Sequence, residues 1–175
     1  MTIPVSILND PSYGDIVNDE FVTNLYHASP LHDIGKVAIP DAILNKPGKL
    51  TSEEFDIMKT HAAMGANNLE AVCEKYPNNN FIRIGIEIAR YHHEKWNGTG
   101  YPEGLAGEDI PLAARLMAVG DVYDALRSKR CYKDSMPHEK ARAILIEGQH
   151  FDPKLIETFL TVENRFIAIQ EEMGD

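Results

Sequence analysis

Histidines and aspartates set among apolar, helix-patterned residues constrain this chain more than any other feature. His32-Asp33, His61, His92-His93 and Asp121 all stand in or beside segments whose hydrophobic residues recur at helical spacing. Asp121 lies within Leu116-Met117-Ala118-Val119-Gly120-Asp121-Val122-Tyr123, too apolar a stretch for a solvated face. An ionised carboxylate there is costly unless it is paired or bound to a cation. Taken singly, each histidine reads equally well as a hydrogen-bonded core or surface residue. Taken jointly with Asp33 and Asp121, they point to a metal centre inside a helical protein.

Spacing sharpens that expectation. Neighbours on a helix lie about 100° apart, so the pairs His32-Asp33 and His92-His93 straddle a face rather than share one. Such pairs suit two cations about 3.5–4 Å apart, the separation of two-metal hydrolytic sites. Nitrogen and oxygen ligands without thiolate select Fe, Mn, Zn, Ni or Co over a structural zinc. One or two such divalent ions are expected, with Fe or Mn favoured.

The helical reading runs the length of the chain. Phe21, Leu25, Ala28 and His32 recur at spacings that turn His32 inward, whereas His27 points away and reads as non-ligating. Lys46-Pro47-Gly48-Lys49 reads as a loop, and Thr51 with Glu54 as a capping box. The helix that follows passes through His61 to about Lys75, and Tyr76-Pro77-Asn78-Asn79-Asn80 breaks it. A further helix from about Phe81 delivers His92-His93 near its end. Residues 94–111 carry Gly98, Gly100, Pro102, Gly104, Gly107 and Pro111, a loop long enough to expect function from it. Leu112, Leu116, Val119, Tyr123 and Leu126 mark the next core-facing helix. Pro137 fits a helix N1 position, and Asp152-Pro153 fits N-cap and N1 of the last helix. The expected fold is all-α, a compact bundle of about six or seven helices. It comprises an irregular segment over residues 1–14 and one domain over residues 15–175.

Composition excludes several classes. With 175 residues and 43% hydrophobic content, the chain can bury a real core. A net charge of −10 argues against a face for duplex nucleic acid, although metals and local lysines can still attract a small anion. Cys73 and Cys131 form neither a metal-spacing motif nor a disulfide framework. No apolar run approaches 18 residues, and the first residues lack a basic leader, so a cytoplasmic protein without a membrane span is expected.

At this point the residues carry a resemblance. His32-Asp33-Ile34-Gly35-Lys36 resembles the signature of the HD superfamily of metal-dependent phosphohydrolases. His92-His93-Glu94-Lys95-Trp96-Asn97-Gly98-Thr99-Gly100-Tyr101-Pro102 resembles the second signature that defines its HD-GYP branch. Ile110-Pro111-Leu112, Asp121-Val122-Tyr123-Asp124-Ala125-Leu126, Arg130-Cys131-Tyr132-Lys133 and Phe151-Asp152-Pro153 follow the same family in order. The likeness covers about residues 15–160, and two long signatures in the right order are far more specific than one short motif. It implies an HD-type bundle that hydrolyses cyclic di-GMP to the linear dinucleotide, to GMP, or to both.

The resemblance also implies roles. His32, Asp33, His61, His92, His93 and Asp121 match the family's metal ligands, with Asp33 the natural bridge because a carboxylate has two oxygens to share. A water activated by the metals would be the nucleophile. Lys36, one turn from Asp33, matches the contact to the scissile phosphate, and Arg130 and Lys133 match positions that bind the ligand's phosphates. The loop holding Gly98, Gly100, Tyr101 and Pro102 reads two ways. It shapes substrate access or meets a signalling-protein partner, or it is a rigid connector whose Trp96 and Tyr101 pack on the bundle. Glu94 reads as a helix-end charge in preference to a partner that orients a ligand histidine.

One departure stands out. Family members usually carry an upstream helix that adds a glutamate and a histidine to the site. Here no histidine precedes His27, and residues 1–14 contain Pro4, Pro11 and Gly14. The expectation is a domain shortened at its N-terminus, with a metal site open on one side. A second reading therefore stays open, a degenerate HD-GYP module that binds a protein or the nucleotide without turnover. A third, an HD-type hydrolase for another nucleotide, is opposed by Gly100-Tyr101-Pro102.

Overall fold

The computed structural model describes Tyr13, residues 16–128 and residues 135–173. Seven α-helices build it: α1 (Asp19–Ala28), α2 (Asp41–Leu44), α3 (Ser52–Cys73), α4 (Asn80–Tyr91), α5 (Leu112–Arg127), α6 (His138–Glu147) and α7 (Pro153–Met173). Among the described residues there is no strand, as the periodicity predicts. None of these helices is long and apolar enough to cross a membrane.

Helix starts follow from local chemistry. The Asn18 side chain accepts from Phe21 N at 2.8 Å and caps α1. Thr51 and Glu54 form the expected reciprocal capping box on α3. Asn79 caps α4 through Ile82 N, and Asp152 Oδ1 accepts from Lys154 N at 2.9 Å to cap α7. Pro137 precedes α6 as its N-cap, one position earlier than expected, with His138 first in the helix.

The first helix stops sooner than its apolar spacing predicts. After Ala28 the chain tightens into a 3-10 segment, Ser29–Ala38, with Pro30 near its start. Proline lacks the N–H that would bond back one turn, so it cannot sit inside a continuous α-helix without loss. His32 and Asp33 therefore ride on a 3-10 turn, not on an α-helix. Ten residues is long for this geometry, which rarely persists beyond three or four and often marks a functional stretch.

Two cores share α4. The larger gathers Leu25, Ile88, Val119, Leu145, Leu155 and Phe159 from α1, α4, α5, α6 and α7. Tyr13 and Val17 belong to it too, at 5% and 2% exposure. The smaller joins Ala66 and Leu69 of α3 to Ala89 of α4, with Leu31 and Ile34 of the 3-10 segment packed against them. Burying each large apolar side chain stabilises by roughly 1.5–3 kcal/mol.

A glycine pair sets how closely the 3-10 segment meets α3. A Cβ added to Gly35 would lie 1.9 Å from His61 O and 2.6 Å from Gly65 N. No side chain fits there. The two backbones touch directly, and that contact puts His32-Asp33 beside His61.

Candidate metal centre

Six side chains from four elements meet in one cluster. His32 and Asp33 come from the 3-10 segment, His61 from α3, His92 and His93 from the end of α4, and Asp121 from α5. His61 Nε2 lies 3.5 Å from Asp33 Oδ1, and His32 Nε2 lies 3.2 Å from Asp33 Oδ2 and 3.8 Å from Asp121 Oδ1. One ligand nitrogen each from His61, His92 and His93 falls within 4.8 Å of the other two. The sequence thus named residues that the fold gathers, although they span 89 positions of chain from His32 to Asp121. His27 is exposed and outside the group, as expected. Arg130 and Lys133 lie outside the described residues.

The ring orientations are fixed by backbone carbonyls one turn back. His32 Nδ1–H donates to Ser29 O at 2.8 Å, His61 Nδ1–H to Met58 O at 2.7 Å, and His92 Nδ1–H to Ile88 O at 2.8 Å. A carbonyl only accepts, so each Nδ1 carries a proton, and on His61 and His92, whose pKa values are lowered, Nε2 keeps its lone pair. His61 Nε2 and His92 Nε2 are buried without a hydrogen-bond partner among the described residues. An unsatisfied buried acceptor costs roughly 1–3 kcal/mol. A cation held by imidazole nitrogens would relieve both, and the outward Nδ1–H bond is the usual support of a ligating histidine. His61, His92 and His93 could therefore hold a metal, with His32, Asp33 and Asp121 alongside.

Electrostatics divide the cluster in two. Burial, reinforced by neighbouring imidazoles, drives His92 down to about 4 and His93 to about 2. Burial also lowers His61, despite help from Met58 O and Asp33. On the other side burial works against His32, but the Asp33 hydrogen bond, Ser29 O and the charges of Asp33 and Asp121 together raise it. Burial would raise Asp33, yet hydrogen bonds from His32 and Lys36 hold its carboxyl well below the usual carboxylate range. Lys36 Nζ sits 2.5 Å from Asp33 Oδ2, because residues three apart eclipse on a 3-10 turn. This second side faces solvent, with Asp33 and Asp121 side chains 31% and 28% exposed.

The long loop packs on the bundle through both of its aromatic residues, at different places. Trp96 packs on the bundle: its backbone N–H donates to His150 O at 2.8 Å, and the Arg115 guanidinium lies 5.7 Å from its ring. Arg115 in turn pairs with buried Asp152 at 2.6 Å. Tyr101 instead stacks on His93, with ring centres 4.7 Å apart and planes 28° apart, and Phe55 meets its edge. Burial first, then the carboxylates Asp121 and Asp33, raise the Tyr101 phenol.

Glu94 corrects the sequence reading. It is neither a solvated helix-end charge nor a partner of a ligand histidine. Its side chain is buried, and Oε1 accepts from Glu103 N at 2.7 Å and Gly104 N at 3.0 Å. Sequence also missed the Gly35 contact. The carbonyl partners were within reach of it, since a histidine within or at the end of a helix meets the carbonyl three or four residues before it.

A family model described as HD domain matches residues 14–155. This chain belongs to the HD domain family. It is 52% identical over 168 residues to a cyclic di-GMP phosphodiesterase of Vibrio cholerae, covering 94% of this chain and 34% of that protein. It is 47% identical over 151 residues to a 3'3'-cGAMP-specific phosphodiesterase 2 of the same organism, covering 85% and 28%. A cyclic di-GMP phosphodiesterase of Thermotoga maritima is 41% identical over 161 residues, covering 91% and 42%. The chain spans about a third of the length of these relatives. For an HD domain, a histidine cluster able to bind metal is the feature on which chemistry depends.

Proposed function

We propose that this HD domain is a metal-dependent phosphodiesterase that hydrolyses cyclic di-GMP to the linear dinucleotide, GMP or both. The observation that carries the reading is the pair of buried Nε2 atoms on His61 and His92 that make no hydrogen bond among the described residues, beside a carboxylate held ionised at Asp33. The names of the similar proteins, quoted above, supply the substrate class. His32, Asp33, His61, His92, His93 and Asp121 would hold one or two divalent ions. Imidazole and carboxylate donors without thiolate favour Fe or Mn, with Zn, Ni or Co as substitutes. When bound, such ions supply Lewis acidity toward a phosphodiester and a water acidified toward neutrality.

The chain's own residues do the rest. Asp33 is the proposed bridge, having an oxygen toward His61 and another toward His32. Lys36 is the proposed phosphate contact, since its ammonium is beside Asp33 and 40% exposed. Tyr101 is a proposed wall of the substrate site, and Arg130 and Lys133 are proposed to bind the ligand's remaining phosphates. The exposed turn around Gly98 and Pro102 is the proposed contact for a signalling-protein partner. The cytoplasm is the proposed compartment, as follows from a second-messenger substrate.

A 3'3'-cGAMP substrate is the second reading, favoured by the 47% identity to a phosphodiesterase of that name. One assay separates the readings. Anaerobically purified protein is loaded with Fe(II) or Mn(II) and offered each cyclic dinucleotide, with products resolved by chromatography. Faster turnover of cyclic di-GMP supports the first reading, and faster turnover of 3'3'-cGAMP the second. Tight binding of either without hydrolysis would leave a nucleotide-sensing module and overturn both.

A further inference from the structure

We propose that Glu94 is a positioning residue that holds Tyr101 against His93 and so sets one wall of the site. This rests on the phosphodiesterase reading above for its effect on turnover, but not for its geometry.

The loop after His93 doubles back on itself. Gly100 comes so near residues 93–95 that a Cβ on it would lie 2.4 Å from Glu94 Cα and 2.4 Å from Lys95 N. Tyr101 N donates to His93 O at 3.3 Å, and the Tyr101 ring stacks on the His93 ring. Beyond Tyr101, residues Pro102, Glu103 and Gly104 are all exposed, and the Glu103 side chain meets only Arg90, 3.8 Å away at the surface, among the ion pairs of the described residues. Glu94 holds the loop from beneath. At 3% exposure it is among the few buried charged residues, and its Oε1 takes the two consecutive backbone N–H groups at Glu103 and Gly104. Hydrogen bonds from backbone N–H to a carboxylate are roughly twice as strong as neutral ones. Two of them clamp the loop immediately beyond Tyr101.

Only one oxygen of Glu94 is used. Oε2 is buried with no hydrogen-bond partner among the described residues. The clamp thus needs an acceptor at Oε1 rather than a full carboxylate, and glutamine supplies one. Alanine supplies none and frees two N–H groups.

Three measurements test this on the metal-loaded chain. The first is amide hydrogen exchange. Tyr101, Glu103 and Gly104 amides should be protected in the wild type, exchange at least tenfold faster in Glu94→Ala, and regain protection in Glu94→Gln. The second is metal content, which should be unchanged in both variants. The third is kcat/KM on the cyclic dinucleotide that the wild type turns over. Misplacing a wall by about 1 Å costs on the order of 100-fold, so Glu94→Ala should lose about 10- to 100-fold and Glu94→Gln should restore most of it. In a Tyr101→Leu background, Glu94→Ala should add no further loss, because Glu94 acts through Tyr101.

Unchanged protection in Glu94→Ala overturns the proposal. So do losses that multiply independently with Tyr101→Leu, or metal loss accompanying Glu94→Ala. Should Glu94→Ala fail to fold, Glu94→Gln decides: wild-type protection supports the clamp, and lost protection overturns it. A wild type with no turnover of any cyclic dinucleotide would sink the phosphodiesterase reading while leaving exchange and metal content to decide the clamp.

Discussion

The two sides of the cluster are built on opposite principles. His61 and His92 are buried, with Nδ1 of each committed to a backbone carbonyl, and half-buried His93 lies beside them; burial lowers the pKa of all three. Asp33 and Asp121 are partly exposed carboxylates, with His32 and Lys36 beside them. The buried side is preorganised to give lone pairs, since neutral imidazole is what a metal needs. The open side presents negative charge at the solvent-facing edge. Burial alone would favour a neutral cluster, and exposure alone would dissipate the charge into solvent. Their juxtaposition depends on the direct backbone contact at Gly35 and Gly65.

Breaking that contact should have the largest effect. Gly35→Ala must push the 3-10 segment off α3, so both sides lose register. We expect a loss of more than roughly 3 kcal/mol in thermal or denaturant unfolding, together with loss of bound metal. A Gly35→Ala protein with wild-type stability and metal content would show that the contact is not needed.

Removing Asp33 comes next. Asp33→Ala should remove bound metal and turnover together, because Asp33 turns one oxygen toward His61 and the other toward His32. Metal analysis after dialysis, paired with the dinucleotide assay, checks it. Lys36→Ala belongs to the open side alone. It should keep the metal and lower turnover by on the order of 100-fold, the usual cost of losing one electrostatic contact to a developing charge. Equal metal loss in the two variants would erase the distinction between the sides.

Acid should expose the buried side with a smaller effect. His92 is held near 4 in the folded chain against an ordinary value of 6.5, so between these values the unfolded chain takes up the proton and the folded one does not. The metal-free protein should therefore have this contribution in full above pH 6.5 and lose stability as pH falls toward 4, by at most about 3 kcal/mol for this group. Urea titrations across that range check the sign. Stability that is flat or rises on acidification would mean that His92 is not buried neutral.

Much of this was legible from sequence, for reasons that differ by residue. The helices at α3, α4 and α5 show in apolar spacing and caps, which are local. The cluster of histidines and carboxylates shows in residue type, since such side chains among apolar neighbours need a reason. The 3-10 segment was hidden because Phe21, Leu25, Ala28 and His32 keep α spacing across the point where Pro30 ends the helix. Gly35 was hidden because a glycine reveals a close approach only when its neighbour across space is known. Glu94 was misread for the same reason: the two N–H groups it binds lie nine and ten residues on, in an exposed loop.

The central claim is that the buried histidine side holds the metal. X-ray absorption fine structure of the protein loaded with Fe or Mn measures this directly. The account predicts a first shell of nitrogen and oxygen at about 2.0–2.2 Å, without sulfur, carrying the outer-shell scattering of several imidazole rings. A shell of oxygen alone, or no retained metal after loading and dialysis, would contradict it.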